Sequence, residues 1–460
     1  MGLKVTVDLQ ACQGYACCMM TAPAVFDLDE AVGKAIVLVP EPAEDLRELV
    51  EKAARGCPSK AIFLESRLSV RHVVVGASLA GIHAVEGLRD AGFDGDVTLV
   101  GAEDTLPYDR PPLSKASLRL GPAAEAILLR PAAWYNEHAV DLRLGRTAVR
   151  LDLASSSVVL DDGREISYDG LILATGSAAR PLETRADAGP AHVLRTVGDC
   201  ARLHARMRRG EHLVIIGAGF IGLEVAATAT MMGLDVSVVE LAPVPLHRVL
   251  GAEVGRWFER YHAAHGIRMY CGAGVEAIET DGRRSKVRLL DGTVLAADVL
   301  VAGVGARPVI GWLRDSGLRL TDGIACDPFL RTSAPNVFAA GDIARWHNTL
   351  FDEDLRVEQW TNAVEQGRYA AESLLGVAEQ PYAAVPYFWS DQFDAKMRFV
   401  GVANAAQDVH IDEAGPDVLV ALFGRDGLLR GALCVNAPRK LARYRQAIAD
   451  RVPWRDISTQ

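Results

Sequence analysis

The sequence predicts a multidomain protein of mixed α/β and α+β class, with two parallel-sheet α/β domains between smaller α+β modules. Three observations support this prediction. A glycine-rich turn joins a short apolar strand to a helix twice, at residues 72–88 and again at residues 213–229. A Gly-x-x-x-Arg-Pro segment also occurs twice, at residues 176–181 and 303–308. The 460 residues exceed what a single core of ~250–300 residues accommodates, so several domains are expected.

The composition is that of a globular protein, with 50% apolar and 23% charged residues. A net charge of −10 argues against nucleic acid and against anionic membranes as partners. The chain opens with an alternating strand, Leu3 to Val7, and shows no signal peptide, so we expect a cytoplasmic protein. The apolar stretch from Leu213 to Ala229 contains three glycines and Glu224, which favours a nucleotide-binding turn over a membrane helix.

The first glycine-rich turn belongs to one βαβ unit. In chain order we predict a strand, a turn, a helix and a second strand: His72–Val75, Gly76–Gly81, Ile82–Leu88 and Asp96–Val100. Gly76 permits the turn, Ser78 is small enough for a pyrophosphate to approach the backbone, and Gly81 lets the helix pack on the strand. Glu103 follows Gly81 by 22 positions and is placed to bind a ribose. Because Ser78 replaces the usual second glycine, the turn alone fits a plain strand-turn-helix equally well.

The second turn matches the dinucleotide fingerprint in full, as Gly217-Ala218-Gly219-Phe220-Ile221-Gly222. Glu240 ends the next strand, 18 residues after Gly222. A carboxylate there accepts hydrogen bonds from a ribose 2′-hydroxyl and repels a 2′-phosphate, so we predict NADH rather than NADPH. Arg248 is a basic residue that could compensate, and the degree of preference stays open.

Four of the eight cysteines are clustered, namely Cys12, Cys17, Cys18 and Cys57, and the other four are scattered singly. Clustering indicates a metal site in a reducing compartment, whereas the scattered thiols are typical of small buried side chains. Cys12, Cys18 and the Cys57-Pro58 pair keep three positions of the bacterial iron–sulfur pattern, and Tyr15 replaces the middle cysteine. The pattern predicts a 3Fe–4S cluster.

Cys17 has no place in this pattern. It is either a bystander or a fourth ligand that permits a 4Fe–4S cluster, and a zinc site is a further alternative for all four thiols. In the surrounding module we predict strands at Leu3–Val7, Ala35–Val39 and Ala61–Leu64, with helices near Pro23–Phe26 and at Ala43–Arg55. Residues 1–66 contain ten acidic and six basic residues, so this module should dock on basic surfaces.

Longer motifs carry a family resemblance over residues 71–460. They are Pro107-Tyr108-Asp109-Arg110-Pro111-Pro112-Leu113-Ser114-Lys115, Ala174-Thr175-Gly176, Pro335–Asp342 and Arg356–Ala363. These segments resemble the FAD-dependent, NADH-oxidising ferredoxin reductases that serve oxygenases, a putidaredoxin reductase-like group with a glutathione-reductase-like fold of Rossmann-type domains. The cysteine module resembles the 3Fe–4S ferredoxins of actinobacterial monooxygenase systems.

The resemblance implies two cofactor sites and a ligand set. The FAD contacts it implies are Gly76, Ser78, Leu79, Ala80, Gly81, Glu103, Arg110, Lys115, Val149, Thr175, Gly176, Arg195, Asp342, Gln359 and Trp360. The predicted NADH contacts are Gly217, Gly219, Phe220, Ile221, Gly222, Glu224, Glu240, Gly303 and Gly305. Catalytic roles are implied for Lys115 and Glu224, as a charge pair beside the flavin, and for Trp360, against the flavin ring. The predicted cluster ligands are Cys12, Cys18 and Cys57.

The predicted domains are a ferredoxin domain at residues 1–66, a discontinuous FAD domain at 70–184 and 304–384, an inserted NAD domain at 185–303 and a C-terminal domain at 385–460. The five-residue connection at 66–70 spans less than ~18 Å, so we expect an intramolecular contact between ferredoxin and reductase. The expected acceptor is a haem-thiolate monooxygenase, with a ring-hydroxylating oxygenase as the alternative. The sequence names neither the oxygenase and its substrate, nor the cluster potential, nor the oligomeric state.

The same residues argue against two related functions and leave one alternative open. A disulfide reductase would need a C-x₄-C pair beside the flavin, and none lies between Cys57 and Cys200. A thiol peroxidase or NADH oxidase of related fold would need a cysteine where Lys115 stands. An NADH-sensing flavoprotein with a structural cluster remains as a non-enzymatic alternative.

Overall fold

A computed structural model of the chain describes residues 2–67, 70–123, 127–182, 191–280, 284–404 and 408–458. They divide into two compact units, Met1–Arg71 and His72–Gln460. The predicted boundary between the FAD and NAD domains, at residues 184 and 185, lies outside the described residues, as does part of the predicted connection at 66–70.

The first unit is a small α+β module. Its elements in chain order are β1 (Gly2–Val7), α1 (Cys17–Thr21), β2 (Phe26–Asp29), β3 (Lys34–Val37), α2 (Arg47–Arg55) and β4 (Ile62–Arg67). Strands β1 and β4 pair antiparallel, and β2 and β3 form a hairpin. The helix predicted near Pro23–Phe26 is wrong: the helix is α1, and Phe26 begins β2 with its side chain fully buried in the core.

The second unit opens with the elements around the first glycine-rich turn. They are β5 (Arg71–Val75), α3 (Leu79–Asp90), β6 (Asp96–Val100), α4 (Ala116–Leu120), α5 (Ala132–Glu137), β7 (Val140–Arg143), β8 (Ala148–Asp152), β9 (Ser157–Leu160), β10 (Glu165–Ser167), β11 (Gly170–Leu173) and β12 (Ser177–Ala179). Strands β5, β6 and β11 are apolar and buried almost throughout, as in parallel sheets covered on both faces. Helix α3 begins at Leu79, three residues before the predicted start.

The elements around the second turn repeat this plan. They are α6 (Val197–Met207), β13 (His212–Ile216), α7 (Phe220–Met231), β14 (Asp235–Glu240), α8 (His247–Ala264), β15 (Arg268–Cys271), β16 (Val275–Thr280), β17 (Ser285–Leu289), β18 (Val294–Ala297), β19 (Val299–Ala302) and β20 (Ala306–Pro308). Four parallel strands run in the order β15-β14-β13-β19, and β16, β17 and β18 form an antiparallel meander. The repeated Arg-Pro segments meet, because β12 pairs antiparallel with β20.

The chain then returns to the first sheet and ends in an antiparallel module. The remaining elements are β21 (Leu320–Thr321), β22 (Gly323–Cys326), β23 (Val337–Ala339), β24 (Ala344–Asn348), β25 (Glu353–Arg356), α9 (Trp360–Leu374), β26 (Tyr387–Gln392), β27 (Ala395–Gly401), β28 (Asp408–Ala414), β29 (Leu419–Arg425), β30 (Leu428–Val435), α10 (Pro438–Ala449) and α11 (Trp454–Ser458). Strand β23 completes the first sheet in the order β23-β11-β5-β6-β7, and the last module orders its strands β26-β27-β30-β29-β28.

These sheets confirm the predicted fold class of two Rossmann-like α/β domains with α+β modules at either end. Within the described ranges, no helix combines the length and apolar character needed to cross a bilayer.

Candidate cofactor-binding sites

The first turn is built for close backbone packing. Gly76 ends β5 with φ +123°, and a Cβ there would lie 2.0 Å from the Ala174 carbonyl oxygen. A Cβ on Gly81 would lie 1.8 Å from the Gly76 carbonyl oxygen. Ser78 is the N-cap residue of α3 but makes no side-chain cap bond, so the unpaired N–H groups of the helix start face outward for a ligand. Leu79 and Ala80 form the first helical turn.

A ring of charged and polar groups lies over this turn. The Arg110 guanidinium lies 2.6 Å from Glu103 Oε1 and donates at 3.3 Å to Ser78 Oγ and at 2.6 Å to the Arg195 carbonyl oxygen. The Tyr108 hydroxyl donates to Glu103 Oε2 at 2.5 Å, and burial raises the pKa of Tyr108 to about 12. Burial lowers the pKa of Arg110, but the Glu103 carboxylate outweighs that effect and raises it. At neutral pH Arg110 is therefore charged, and the Tyr108 hydroxyl keeps its proton.

Arg195 extends this ring to a distant segment, because its guanidinium lies 2.9 Å from Asp342 Oδ2. Gly176 follows β11 with φ +67°, and a Cβ there would lie 3.7 Å from Arg195 Nη2. The Thr175 hydroxyl donates to the Val309 carbonyl oxygen at 2.7 Å. Residues separated by 147 positions thus meet at this ring.

The start of α9 contributes the remaining predicted groups. Gln359 is its N-cap residue, and the buried Gln359 Oε1 has no hydrogen-bond partner among the described residues. Trp360 Nε1 donates to Asp109 Oδ1 at 2.8 Å, which fixes the indole beside the segment that ends in Lys115. Val149 stands apart: it lies in the meander strand β8 and is 46% exposed. The glycine cradle, the two arginines of the ring and the orphaned Gln359 oxygen fit a bound FAD.

The second turn repeats the packing of the first. Gly217 ends β13 with φ +102°, and a Cβ there would lie 2.4 Å from the Gly303 carbonyl oxygen. A Cβ on Gly222 would lie 2.2 Å from the Gly217 carbonyl oxygen. A Cβ on Gly219, in contrast, would meet no heavy atom within 4 Å, so open space lies over the helix start. Gly305 has φ +101° and a backbone conformation that favours glycine.

Glu240 is held by the backbone. Its Oε2 accepts from the Ala218 N–H at 2.7 Å and its Oε1 accepts from the Ala242 N–H at 2.8 Å. Phe220 begins α7 with its ring 5.0 Å from that of Phe388, and Ile221 is 49% exposed. A preset carboxylate beside an open helix start fits the adenosine ribose and pyrophosphate of a nicotinamide dinucleotide.

The two sites are joined by an ion pair. Lys115 Nζ lies 2.7 Å from Glu224 Oε2, with Glu224 on α7 almost completely buried. The hydroxyls of Ser114 and Ser390 donate to the same carboxylate, at 2.5 Å to Oε2 and 2.6 Å to Oε1. Sequence reasoning missed both serines. Ser114 lies inside a motif already singled out, whereas no local pattern marks Ser390, which the fold brings from 166 positions away.

The clustered cysteines surround one cavity in the first unit. Cys12, Cys17, Cys18 and Cys57 all line it, together with the Tyr15 and Pro58 positions. Cys12 and Cys18 are buried, while Cys17 and Cys57 are partly exposed. In the described part of the chain, no three His, Cys, Asp or Glu side chains converge closely enough to hold a single metal ion. The thiols therefore line a cavity wall and do not meet at one point.

Donors near the sulfur atoms complete this cavity. The Ala35 N–H donates to Cys12 Sγ at 3.5 Å, and Lys34 Nζ donates to the Cys12 carbonyl oxygen. Burial raises the pKa of the Cys57 thiol, but hydrogen bonds from Ser59 and nearby backbone N–H groups outweigh it and lower the pKa. For Cys18 burial prevails and raises the pKa. Thiols around a cavity, with N–H groups aimed at sulfur, fit an iron–sulfur cluster.

Comparison with known proteins agrees with this geometry. A family model described as pyridine nucleotide-disulphide oxidoreductase matches residues 70–367, and one described as reductase C-terminal matches residues 387–457. A third, described as 4Fe-4S single cluster domain, matches residues 5–64. The chain belongs to the pyridine nucleotide-disulphide oxidoreductase family.

Several reductases are similar to this chain over most of its length. Rhodocoxin reductase of Rhodococcus erythropolis is 40% identical over 83% of this chain and 90% of its own. The ferredoxin–NAD⁺ reductase component of the anthranilate 1,2-dioxygenase system of Burkholderia cepacia is 36% identical over 82% and 93%. A crystal structure of the covalent putidaredoxin reductase–putidaredoxin complex superposes with TM-score 0.79 at 32% identity, covering 84% and 94%.

Membership confirms part of the sequence prediction. The chain is an enzyme of this family, an FAD- and NAD-dependent oxidoreductase similar to ferredoxin reductases, with an iron–sulfur domain at its N-terminal end. The cluster type, the ligand set, the site residues, the domain boundaries and the acceptor stay predictions.

Proposed function

We propose that the chain is an NADH-dependent ferredoxin reductase joined to its own ferredoxin. It passes electrons from NADH by way of FAD and a 3Fe–4S cluster to an external oxygenase. The observation that carries the proposal is the presence, in one polypeptide, of two dinucleotide turns linked by the Lys115–Glu224 pair and of a cavity lined by cysteines. Because the ferredoxin and the reductase belong to one polypeptide, joined by the short connection at residues 66–70, we propose intramolecular transfer.

FAD, when bound, supplies the exchange between a two-electron hydride donor and one-electron carriers. The protein positions the reactants. The turn at Gly217–Gly222 binds the NADH pyrophosphate, and Glu240 accepts hydrogen bonds from the ribose. Lys115 places a positive charge where negative charge develops, while Glu224 fixes that ammonium by its ion pair. Trp360, anchored by Asp109, shields the same region from water.

For the cluster we propose Cys12, Cys18 and Cys57 as ligands of three irons. Tyr15, which stands at the position of a fourth thiolate, is 59% exposed and supplies no sulfur. Because Cys17 lines the same cavity, its role decides between a 3Fe–4S and a 4Fe–4S cluster. Iron and labile sulfide content of anaerobically purified Cys17→Ser, compared with the parent, tests this. Unchanged iron content and spin resonance spectrum support three thiolate ligands, and loss of one iron per chain supports four.

A haem-thiolate monooxygenase is our proposed acceptor, because the cysteine module resembles ferredoxins that serve such enzymes. The excess of acidic residues at positions 1–66 suits a basic docking surface on that partner, in the cytoplasm. A ring-hydroxylating dioxygenase is the second candidate, favoured by the similarity to the anthranilate 1,2-dioxygenase reductase. Steady-state electron delivery to one purified oxygenase of each class, at equal concentration and low salt, distinguishes them.

Anaerobic titration with NADH, followed by visible and electron spin resonance spectra, tests the electron route. We expect the parent to reduce flavin and then cluster. Cys57→Ser should keep FAD and hydride transfer but lose electron delivery to the cluster. Cys326→Ser is the matched control, because its thiol lies outside the cysteine module and donates to the Ile324 carbonyl oxygen at 3.4 Å, a bond that a hydroxyl can replace. Full-speed oxygenase reduction by Cys57→Ser would overturn the in-chain route.

The non-enzymatic alternative, an NADH sensor with a structural cluster, predicts the opposite result of this titration. It requires slow reduction of ferricyanide or cytochrome c by NADH, and a cluster that NADH does not reduce. Rapid cluster reduction in the same titration eliminates it.

A further inference from the structure

The carboxylate of Glu224 is also connected to the C-terminal module. Strand β26 turns alternate side chains, Phe388, Ser390 and Gln392, to one face. This face lies along α7, where the Phe388 ring is 5.0 Å from that of Phe220 and Ser390 donates to Glu224 at 2.6 Å. Phe220 and Glu224 are four residues apart and share one face of the helix. Strand β26 therefore packs against α7, the helix that carries Glu224.

The hydrogen bonds continue inward beyond Ser390. Gln392 Nε2 donates to Ser390 Oγ at 3.0 Å, and Gln392 Oε1 lies 2.8 Å from His262 Nε2 on α8. Ser390, Gln392 and His262 are each at most 1% exposed. The chain of bonds therefore runs through a region from which bulk water is excluded, where an unmade hydrogen bond is costly.

The Glu224 carboxylate, at one end of this chain of hydrogen bonds, determines which group donates in each bond. An ionised Glu224 only accepts, so the single Ser390 proton goes to it, and the Ser390 oxygen must accept from an N–H of Gln392. The side-chain oxygen Oε1 of Gln392 then faces His262, which must donate from Nε2. Burial lowers the pKa of His262 to about 4, so the ring is neutral at neutral pH and carries its proton on Nε2. The relay has one orientation, with all donors directed at the carboxylate.

We propose that Ser390 is a positioning residue for hydride transfer, and that Gln392 and His262 fix the direction of its hydroxyl. Ser390 holds Glu224 Oε1, so that Glu224 Oε2 stays turned toward Lys115. The C-terminal module thereby contributes to the geometry of the reaction centre. This inference rests on the proposed roles of Lys115 and Glu224.

Rapid mixing of NADH with the full-chain holoenzyme tests the proposal. A hydrogen bond to a charged group is strong enough that losing it changes a rate about tenfold, so we expect Ser390→Ala to slow the limiting rate of flavin reduction about five- to tenfold. The NADH concentration for half-saturation should stay within about twofold, since Ser390 does not touch the nucleotide turn. Gln392→Leu leaves the Ser390 hydroxyl in place and should slow the rate only about two- to threefold.

Two comparisons separate positioning from simple loss of stability. Tyr444→Phe removes a buried hydroxyl of the same module, one that donates to Asp412 at 3.2 Å, and should leave the limiting rate unchanged. In a Glu224→Ala background, Ser390→Ala should have no further effect, because a residue that acts through Glu224 loses its target. Additive losses, or a Ser390→Ala rate equal to that of Tyr444→Phe, overturn the inference.

The failure of the proposed function has a different signature. If Lys115→Ala and Glu224→Ala both reduce flavin at the parent rate, the roles of the ion pair are wrong, and the Ser390 inference falls with them. If those variants are slow but Ser390→Ala is not, only the inference fails. Should Ser390→Ala not retain FAD, the Gln392→Leu rate in the parent and Glu224→Ala backgrounds decides in the same way.

Discussion

The two dinucleotide turns share a backbone plan but differ in how they hold a ligand. In each, a glycine at the end of the first strand leaves no room for a Cβ beside a neighbouring carbonyl, that of Ala174 in one and of Gly303 in the other. In the first turn, side chains from three segments close over the helix start through Arg110. In the second, Gly219 opens onto empty space.

The acidic residues show the same contrast. Glu103 is bound by two side chains, Arg110 and Tyr108, whereas Glu240 is bound by two backbone N–H groups. A clamp of side chains suits a cofactor that stays for the life of the protein. A carboxylate preset by the backbone suits a nucleotide that enters and leaves in every turnover, because little has to be ordered on binding. This difference supports our proposal that FAD binds at the first turn and NADH at the second.

The largest effect is expected from two glycine substitutions, one in each turn, which test which cofactor each turn binds. A Cβ at position 81 would lie 1.8 Å from the Gly76 carbonyl oxygen, so Gly81→Ala must push the helix from the strand. We expect FAD content to fall at least about tenfold, measured as flavin absorbance per chain. Gly222→Ala, with its Cβ 2.2 Å from the Gly217 carbonyl oxygen, should keep FAD and lose NADH affinity.

The control for this pair is Gly198→Ala. Its Cβ would lie 3.4 Å from the end of the flexible Arg202 side chain and 3.8 Å from Thr196 Oγ1, both ordinary contacts or easily relieved. This variant should retain both cofactors. If Gly222→Ala instead lost its flavin while Gly81→Ala kept it, the assignment of the two turns would be reversed.

These turns were predictable from sequence because their determinants are local. A glycine with positive φ, a small residue at the helix start and an acid after the next strand lie within about 30 consecutive positions. The helix α1 was not predicted, because the residue before it gives no local signal. Ala16 is not an N-cap residue type and takes a left-handed φ of 56°. Strand β28 was not predicted, although Val409 and Ile411 alternate with polar neighbours there, a pattern that indicates a half-buried strand.

The family resemblance implied the charged residues of the ring as FAD contacts, but their contacts with one another and the relay could not be predicted, since these depend on long-range packing. Arg195 meets Asp342 across 147 positions, and Ser390 meets Glu224 across 166. Nothing in the local sequence of Ser390 distinguishes it from any other serine in a strand. Such pairs become visible only when the order of the strands is known.

The second-largest effect is expected when the side-chain clamp on Glu103 in the first turn is broken. Arg110→Ala leaves the Glu103 carboxylate without its cation, and breaking a partly buried ion pair costs about 2–3 kcal/mol, or roughly 30- to 150-fold in FAD affinity. FAD dissociation measured by fluorescence checks this. Arg150→Ala is the control, because its pair with Glu165 is more than half exposed on both sides and its loss should not change FAD affinity. Equal losses in both variants would contradict the clamp.

A smaller effect is expected at the backbone-bound carboxylate. Glu240→Gln retains one acceptor oxygen but turns an NH₂ group toward either the Ala218 or the Ala242 N–H. One lost charged hydrogen bond predicts a KM for NADH about tenfold higher and a narrower preference over NADPH. Steady-state ferricyanide reduction with both nucleotides measures this, and FAD content should not change. An unchanged ratio of the two kcat/KM values would remove Glu240 from cofactor discrimination.

The smallest effect is expected when Ser78 of the first turn and Gly219 of the second are each replaced by the other residue type. Ser78→Gly removes a long bond of 3.3 Å from Arg110, so FAD affinity should fall by no more than about threefold, because the other bonds of Arg110 remain. The reciprocal Gly219→Ser finds open space, so its melting temperature should stay within about 2 °C of the parent while its KM for NADH rises about threefold. If Ser78→Gly instead released the flavin, the first turn would depend on its serine, and the arginine clamp would be secondary.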